Sequence, residues 1–320
     1  MSLLKVKNLN IHFETKKGLI HAVRNVSFEI NTGETLGIVG ESGCGKSITN
    51  MAIMGLLDDN AQVTADELSF NGVDLSKLND KSWQQIRGGE ISMIFQDAMS
   101  SLNPCYTVEN QIEEVLIIHE PEMKKAQRSE RVIELLNQVG IPAPIERMKS
   151  YPHELSGGMA QRVMIAMAIA SNPKLLIADE PTTALDVTVQ QQILELLISL
   201  QKESGMAVIF ISHDLAVVKD FTQFLQVMYA GEVIEKGPTE DVINSARHPY
   251  TSGLLKSIPS FTNDINAPLY SISGMVPDLG SRPSGCQFRE RCEYASTECT
   301  SLPKLVVHDQ RSLRCIHPIN

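Results

Sequence analysis

The sequence predicts an α/β fold that is interrupted by a run of helices and followed by a small cysteine-rich tail. Strand and helix patterns alternate in the second half of the chain, at 174–179, 189–203 and 206–212, which is typical of a parallel sheet. Apolar residues at helical spacing dominate from Asp97 to Ala170, and this stretch predicts a helical insert. Four of the six cysteines fall between Cys286 and Cys315, in a tail that has few large apolar residues.

The remaining elements follow from the same patterns. Apolar and polar residues alternate near the N-terminus, which predicts strands over 3–13, 22–30 and 35–40, followed by a helix over 47–57 and a strand over 91–96. The clearest helices of the insert are 108–120, 125–140 and 156–170. A further strand is predicted at 224–230, with helices over 241–246 and 248–258. We place a boundary near Pro259, which gives a main domain of residues 1–258, with its helical subdomain at about 97–170, and a C-terminal region of residues 259–320.

Composition limits the classes of function. The formal charge is −10, which argues against a broad nucleic-acid surface because phosphate neutralisation needs clustered Lys and Arg. No apolar run approaches the roughly 18 residues that a membrane-spanning helix requires, and the N-terminus lacks the pattern of a signal peptide. We therefore expect a cytoplasmic protein, and in that compartment clustered cysteines favour a metal site over disulfides.

A glycine-rich segment lies between the predicted strand at 35–40 and the helix at 47–57. It reads GESGCGKS, which fits the G-x-x-x-x-G-K-S pattern of a phosphate-binding loop in its required strand–loop–helix context. Backbone N–H groups and the lysine would face the β- and γ-phosphates, and the serine hydroxyl would ligate Mg²⁺. The alternative is a glycine-rich turn without a ligand. The predicted nucleotide-binding residues here are Gly40, Glu41, Ser42, Gly43, Cys44, Gly45, Lys46 and Ser47.

An acidic pair ends a second apolar strand, LLIADE at 175–180. Asp179 at the carboxyl edge of the sheet can hold Mg²⁺ through water, and Glu180 is placed to polarise the attacking water. A buried strand that ends in an acidic turn is the alternative. Together with the phosphate loop, this pair is compatible with kinases, GTPases, helicases and transport ATPases.

The segment LSGGMAQR at 155–162 resembles the signature sequence of ABC ATPases. The resemblance implies that Ser156, Gly157 and Gly158, at a helix N-terminus, close over the γ-phosphate of a nucleotide held by a second subunit. The bland alternative is a glycine-bearing helix cap. Met159 stands where the family commonly has glutamine, which removes a side-chain donor and makes a non-identical partner subunit easier to accommodate.

Other positions extend the resemblance over about residues 3–245. Gln96 matches the glutamine that senses Mg²⁺ and water, His213 the switch histidine, and Asp186 the loop between subunits. Phe13 matches the aromatic residue that stacks on adenine. The resemblance implies a P-loop NTPase core with a mixed sheet, an antiparallel β subdomain and a helical insert. It also implies ATP hydrolysis through Glu180, with Mg²⁺ held at Ser47 and Gln96.

Three segments, at 96–108, 247–255 and 285–299, look like the dipeptide, oligopeptide and nickel permease branch of the family. This resemblance implies an ATPase subunit at the cytoplasmic face of the bacterial inner membrane. Its partners would be a second, non-identical ATPase subunit, two transmembrane permease subunits, and a periplasmic or lipoprotein substrate-binding protein. The rival functions are a non-transport ABC ATPase, which would carry long coiled coils or two cassettes, and a regulatory subunit that binds nucleotide without hydrolysing it.

The four tail cysteines have the spacing Cys286-x5-Cys292-x6-Cys299-x15-Cys315. This spacing is compatible with a tetrahedral zinc, an iron–sulfur cluster or unligated thiols. The permease resemblance implies a [4Fe-4S] cluster with a structural role, and zinc is the alternative.

Two further predictions concern single segments. The partly apolar stretch after Gln96 predicts a groove that docks on the membrane subunits, and ordinary packing is the alternative; the candidate residues are Met99, Leu102, Pro104 and Tyr106. The position of Cys44 at a helix N-terminus beside Lys46 predicts a lowered thiol pKa and a reactive side chain. An inert small residue is the alternative.

Overall fold

The computed structural model describes residues 2–16, 18–183, 185–258 and 270–319, and the boundary predicted at Pro259 lies outside these ranges. The described residues form thirteen strands: β1 (Ser2–Thr15), β2 (Gly18–Asn31), β3 (Thr35–Val39), β4 (Ala61–Thr64), β5 (Glu67–Phe70), β6 (Val73–Asp74), β7 (Ile91–Ile94), β8 (Leu175–Asp179), β9 (Ala207–Ser212), β10 (Phe224–Tyr229), β11 (Glu232–Pro238), β12 (Val306–His308) and β13 (Arg311–Leu313).

The same residues form eleven α-helices: α1 (Lys46–Ile53), α2 (Asp80–Ile86), α3 (Ala98–Ser101), α4 (Val108–His119), α5 (Lys125–Gln138), α6 (Pro144–Arg147), α7 (Gly157–Ile169), α8 (Val187–Ser204), α9 (Leu215–Phe221), α10 (Thr239–Asn244) and α11 (Pro249–Lys256). No helix in the described part of the chain is long and apolar enough to cross a membrane.

The chain divides into two compact units, and the last boundary between them along the chain falls within β9. The first unit comprises Met1–Asn31, Thr35–Ser76 and Phe210–Asn320, and the second comprises Thr32–Glu34 and Lys77–Ile209.

The first unit contains an antiparallel sheet in the order β2-β1-β5-β6, with β4 also paired to β1. Alternation in the sequence explains this sheet, because Leu4, Leu9 and Ile11 are fully buried while polar neighbours lie on the other face. The predicted antiparallel β subdomain is therefore present.

A second set of strands in the first unit is mixed. β3 runs parallel to β10, whereas β10 and β11 are antiparallel, and β13 extends the set by pairing with β11 and β12. β3 is buried along its whole length, so it holds the segment that follows it in a fixed place. The tail thus joins the sheet through β13, which the sequence pattern did not predict.

The second unit contains the parallel pair β7 and β8 and the helices α2 to α8. Five of these helices, α3 to α7, lie within the predicted insert at 97–170. α7 is apolar around most of its circumference, and Val163, Ile165 and Ala166 are almost completely buried. An all-apolar helix of this kind forms the centre of a helical layer, and it positions the segment that precedes it.

Candidate nucleotide-binding site

The glycine-rich segment forms a tight loop between β3 and α1. Three of its glycines have positive φ values: 154° at Gly40, 78° at Gly43 and 101° at Gly45. A Cβ atom at Gly40 would lie 2.2 Å from the carbonyl oxygen of Met228, so the chain can take this path only without a side chain. The loop therefore has the strand–loop–helix geometry that a phosphate-binding loop requires.

Lys46 projects into this loop from the first turn of α1. Its side chain is buried, and Nζ donates hydrogen bonds to the carbonyl oxygens of Gly40 at 2.7 Å and Glu41 at 3.2 Å. Ser47 follows it in the same helical turn. A buried ammonium group and a helix N-terminus at one loop are groups that bind polyphosphates in other proteins.

The structure contradicts the expected reactivity of Cys44. The thiol is completely buried, and this burial raises its pKa, with the smaller opposing effect coming from Lys46. Proximity to a cation and a helix N-terminus was the basis of the prediction, but desolvation of the thiolate is the larger effect here. Cys44 is therefore an inert packing residue of the loop.

The acidic pair at the end of β8 lies in the second unit. Asp179 is buried, and Glu180 directly after it has a φ of 46°, a backbone conformation that is unfavourable for a residue with a side chain. The Glu180 carboxylate accepts a hydrogen bond from Gln96 Nε2 at 3.2 Å and from Thr183 Oγ1 at 3.0 Å.

This contact brings together two residues that the sequence analysis singled out separately. Gln96 follows β7 and Glu180 follows β8, and these two strands are parallel neighbours, so their carboxyl ends meet at one edge of the sheet. Thr183 is a third member that the sequence analysis missed; the only signal for it was its position three residues after Glu180, at a distance that permits a turn. A carboxylate held by an amide and a hydroxyl can accept a proton from water at a defined position.

The LSGGMAQR segment lies at the N-terminus of α7. Ser156 is the N-cap, with Oγ accepting from the backbone N–H of Met159 at 3.3 Å, and it is exposed together with Gly157. Asp186 caps α8 in the same unit, where Oδ1 accepts from Val189 N–H at 3.0 Å. A helix of thirteen residues that presents an exposed N-cap serine and glycine N–H groups can bind an anion.

The two remaining predicted nucleotide contacts lie in the first unit. His213 directly follows β9 and is exposed. Phe13 lies in β1, where its Cα pairs with Ile20 and with Ala61, and its ring is half-buried. A half-buried aromatic ring is compatible with stacking on a base.

The stretch predicted to dock on membrane subunits is only partly exposed. The exposed fraction is 43% for Met99 and 54% for Tyr106, and Pro104 is also exposed, but Leu102 is 2% exposed. Leu102 was therefore wrongly assigned to a docking surface, because it belongs to the core of the second unit. The other three residues remain candidates.

The four tail cysteines line one cavity in the first unit, together with His248 and His317. All four thiols are free, and the N–H of Cys286 donates to the carbonyl oxygen of Cys299 at 2.9 Å. Burial raises the pKa of Cys286 and Cys292, and it raises that of Cys315 to about 11. Within the described residues, no group of three or more His, Cys, Asp or Glu side chains converges closely enough to hold a metal ion. The described residues therefore do not show the predicted metal site.

Comparison with known proteins agrees with this geometry. The family profile described as "ABC transporter" matches residues 23–183, and the profile described as "Oligopeptide/dipeptide transporter, C-terminal region" matches residues 234–299. The chain therefore belongs to the ABC transporter family, as an ATP-binding subunit. The family assignment that the sequence motifs indicated is confirmed.

Individual relatives indicate to which branch of the family the chain is similar. The chain is 51% identical to the "Dipeptide transport ATP-binding protein DppD" of Haemophilus influenzae, over 100% of this chain and 97% of the relative. It is 49% identical to the protein of the same name from Escherichia coli K12, over 100% and 98%. It is also 51% identical to the "Oligopeptide transport ATP-binding protein OppD" of Bacillus subtilis, over 92% and 82%.

Solved structures confirm the predicted fold class of the core. A dimeric ATP-binding cassette in a post-hydrolysis state, bound to ADP and phosphate, aligns with a TM-score of 0.67 and 31% identity, over 74% of this chain and 98% of that chain. The cbiO1 protein of Clostridium perfringens, part of an ABC transporter complex, aligns with a TM-score of 0.65 and 28% identity, over 76% and 91%.

Proposed function

We propose that this chain hydrolyses ATP to drive the import of dipeptides or oligopeptides across the bacterial inner membrane, from its cytoplasmic face. Relatives whose names state dipeptide or oligopeptide transport align with it over 82% to 98% of their length. ATP hydrolysis is supported above all by the position of the Glu180 carboxylate. Gln96 and Thr183 hold it by hydrogen bonds at the carboxyl ends of two parallel strands. A regulatory subunit without turnover would have no need for this arrangement.

Each predicted residue has a role in this proposal. The backbone of the phosphate loop and Lys46 bind the β- and γ-phosphates, and Phe13 stacks on adenine. Ser47 and Gln96 hold Mg²⁺, with Asp179 acting through water. Glu180 accepts a proton from the attacking water, and His213 contacts the γ-phosphate. In this proposal, the donors that cover the other side of the γ-phosphate come from outside this chain.

A second ATPase subunit supplies those donors in the proposed complex. Its signature segment, equivalent to Ser156, Gly157 and Gly158 here, covers the nucleotide, and Asp186 lies in the loop that passes between the subunits. The exposed N-cap of α7 supports this role. We propose that the partner is non-identical because Met159 weakens this chain's own signature. Two transmembrane permease subunits and a periplasmic or lipoprotein substrate-binding protein complete the transporter.

We further propose that the tail holds a [4Fe-4S] cluster. Cys286, Cys292, Cys299 and Cys315 surround a single cavity, and four thiolates are the usual ligands of such a cluster. The buried Nε2 atom of His248, which lines the same cavity, has no hydrogen-bond partner among the described residues, so it suits a sulfur acceptor. When bound, the cluster supplies metal–sulfur bonds that fasten four separate points of a tail with little core of its own.

Anaerobic purification tests this cluster. The expected product is brown protein with about four iron and four sulfide per chain, and Cys315→Ser should lose most of the iron while Cys105→Ser, at an exposed position outside the tail, should not. Colourless protein with one zinc per chain would establish the zinc alternative. Protein without metal after anaerobic preparation would show that the thiols are unligated.

The transport function is tested in the assembled complex. Chains that co-purify with this protein from native membranes should include two permease subunits and a second ATPase. After reconstitution in proteoliposomes, ATP hydrolysis should rise when the binding protein and a dipeptide are added, and Lys46→Ala should abolish the increase. Hydrolysis that is independent of the membrane subunits, the binding protein and peptide would favour a non-transport ATPase.

A further inference from the structure

Arg291 in the cysteine-rich tail contacts the phosphate loop directly. Its side chain is only 5% exposed, and its guanidinium group forms two hydrogen bonds with the Glu41 carboxylate: Nη1 to Oε2 at 2.6 Å and Nη2 to Oε1 at 3.0 Å. Such a bidentate ion pair fixes both distance and orientation. The pair joins residues that are 250 positions apart in the sequence.

The tail and β10 together hold Arg291 in place from several sides. Nε donates to the carbonyl oxygen of Ser273 at 2.9 Å, and Nη2 donates to that of Ile272 at 3.3 Å. The guanidinium carbon lies 5.8 Å from the ring centroid of Tyr229 and 5.9 Å from that of Phe288. Because its donors and its faces are both in use, Arg291 is a fixed partner for Glu41.

Glu41 is in turn attached at three points. Its carboxylate binds Arg291, its backbone N–H donates to the Tyr250 hydroxyl at 2.9 Å, and its carbonyl oxygen accepts from Lys46 Nζ at 3.2 Å. Tyr250 packs edge-on against Phe288 of the tail, with ring centroids 5.4 Å apart. The tail therefore contacts Glu41 directly through Arg291 and supports Tyr250, a second partner of Glu41.

The charge of Glu41 gives this contact a consequence for nucleotide binding. A carboxylate in a loop that binds a polyphosphate repels the ligand unless a cation compensates its charge. Lys46 is directed at the backbone carbonyls, so the guanidinium of Arg291 is the group that pairs with the Glu41 side chain. Its removal would leave an uncompensated negative charge beside the phosphate site and would free the Glu41 side chain to move.

We propose that Arg291 is a positioning residue of the nucleotide site, which sets ATP affinity by neutralising Glu41 and holding it in place. The inference rests on the proposed function, since it requires that the loop binds ATP. The competing interpretation is that the Arg291–Glu41 ion pair only attaches the tail to the main domain and has no effect on ATP affinity.

A matched ion pair separates these interpretations. Arg311, also in the tail, contacts Glu235 of β11, with Nη2 2.8 Å from Oε1, and Glu235 is 1% exposed in its side chain. This pair attaches the tail to the sheet but does not touch the phosphate loop. Arg311→Met therefore measures the effect of loosening the tail, and Arg291→Met measures that effect together with the loss of the loop contact.

The experiment is a titration of the full-length protein with a fluorescent ATP analogue and Mg²⁺, in a Glu180→Gln background that prevents hydrolysis. Arg291→Met should raise the Kd about tenfold, within the range of ordinary coupling between sites, while Arg311→Met should change it less than about twofold. Arg291→Met combined with Glu41→Gln should recover most of the affinity, because the neutral amide does not repel phosphate. With the native Glu180, kcat at saturating ATP should stay within about twofold of the parent for Arg291→Met, since the hydrolytic residues are not altered.

Three results would overturn the proposal: an unchanged Kd for Arg291→Met, equal losses of affinity for Arg291→Met and Arg311→Met, or no recovery of affinity in the double variant.

If thermal unfolding shows that Arg291→Met does not fold, Arg291→Lys replaces it. Its Kd should rise above that of the parent but by less than about tenfold, because the charge remains without the bidentate geometry. If the parent protein itself does not bind the analogue, the proposed function fails as a whole, whereas an active parent with an unaffected Arg291 variant contradicts only this inference.

Discussion

Replacing Glu180 with glutamine should stop hydrolysis while preserving the site. The change removes the carboxylate charge but keeps the size of the side chain. In the parent, Glu180 Oε2 accepts two hydrogen bonds, from Gln96 and Thr183, and the amide oxygen of glutamine has two lone pairs with which it can accept both. The change weakens two charge-assisted hydrogen bonds to neutral ones, at a cost of about 1 kcal/mol of folding stability each, so the variant should remain folded.

The effect on catalysis should be much larger than the effect on stability. A positioned general base contributes about a hundredfold to ten-thousandfold to the rate, which corresponds to about 3 to 5 kcal/mol of the activation barrier. Phosphate release by the assembled complex should fall by such a factor, while the affinity for the fluorescent ATP analogue should stay within about threefold of the parent. Thr183→Val is the matched control, since it removes one hydrogen bond but keeps the carboxylate, and its loss of rate should be less than about tenfold. Parental turnover in Glu180→Gln would refute the role of Glu180 as the base.

Further predictions concern the phosphate loop. Lys46→Ala removes the ammonium group that lies inside the loop, and it should abolish both analogue binding and hydrolysis; retention of parental affinity would show that the polyphosphate binds elsewhere. Cys44 is completely buried and burial raises its pKa, whereas Cys105 is exposed, so brief iodoacetamide treatment at pH 7.5 should label Cys105 and leave Cys44 unmodified until the protein is unfolded. Mass spectrometry of the Cys44 peptide measures this labelling. Rapid modification of Cys44 in the native protein would contradict its role as a packing residue.

Much of the fold follows from local patterns in the sequence. The long helices of the insert and the buried strands β3, β8 and β9 end within a few residues of their predicted limits, because each has either an apolar face or a fully apolar core that no other conformation buries. The predicted strand over 91–96 is shorter in the structure, since β7 ends at Ile94, and the following residues leave the sheet to place Gln96 against Glu180. The helix predicted over 47–57 similarly ends at Ile53.

Other elements gave no clear local signal. β4, β5 and β6 are only two to four residues long. They form because a neighbouring strand offers an edge, which is β1 for β4 and β5, and β5 for β6. β11 carries the charged residues Glu232, Glu235 and Lys236, which mask the strand pattern. Glu235 is nevertheless buried and accepts hydrogen bonds from the backbone N–H groups of Arg247 and His248. Local sequence patterns do not predict a contact between two separate segments such as these.

Some residues of the candidate site were also predictable from local sequence, and others were not. Spacing and strand context predicted the phosphate loop and the acidic pair, because these features lie within single segments. Thr183 and Arg291 were missed since their roles depend on contacts with Glu180 and Glu41, which only the fold creates. Leu102 was assigned to a surface because it lies in the partly apolar stretch after Gln96, and the sequence does not distinguish an exposed apolar residue from a buried one.

The most direct test of the account is a structure of the Glu180→Gln complex with Mg-ATP, determined by cryo-electron microscopy. We expect the triphosphate in the Gly40–Ser47 loop of one ATPase subunit, with the signature serine and glycines of the other subunit facing its γ-phosphate, and Ser156 of this chain facing the partner's nucleotide. A nucleotide-bound complex in which Ser156 faces solvent, with no second ATPase opposite it, would contradict the account.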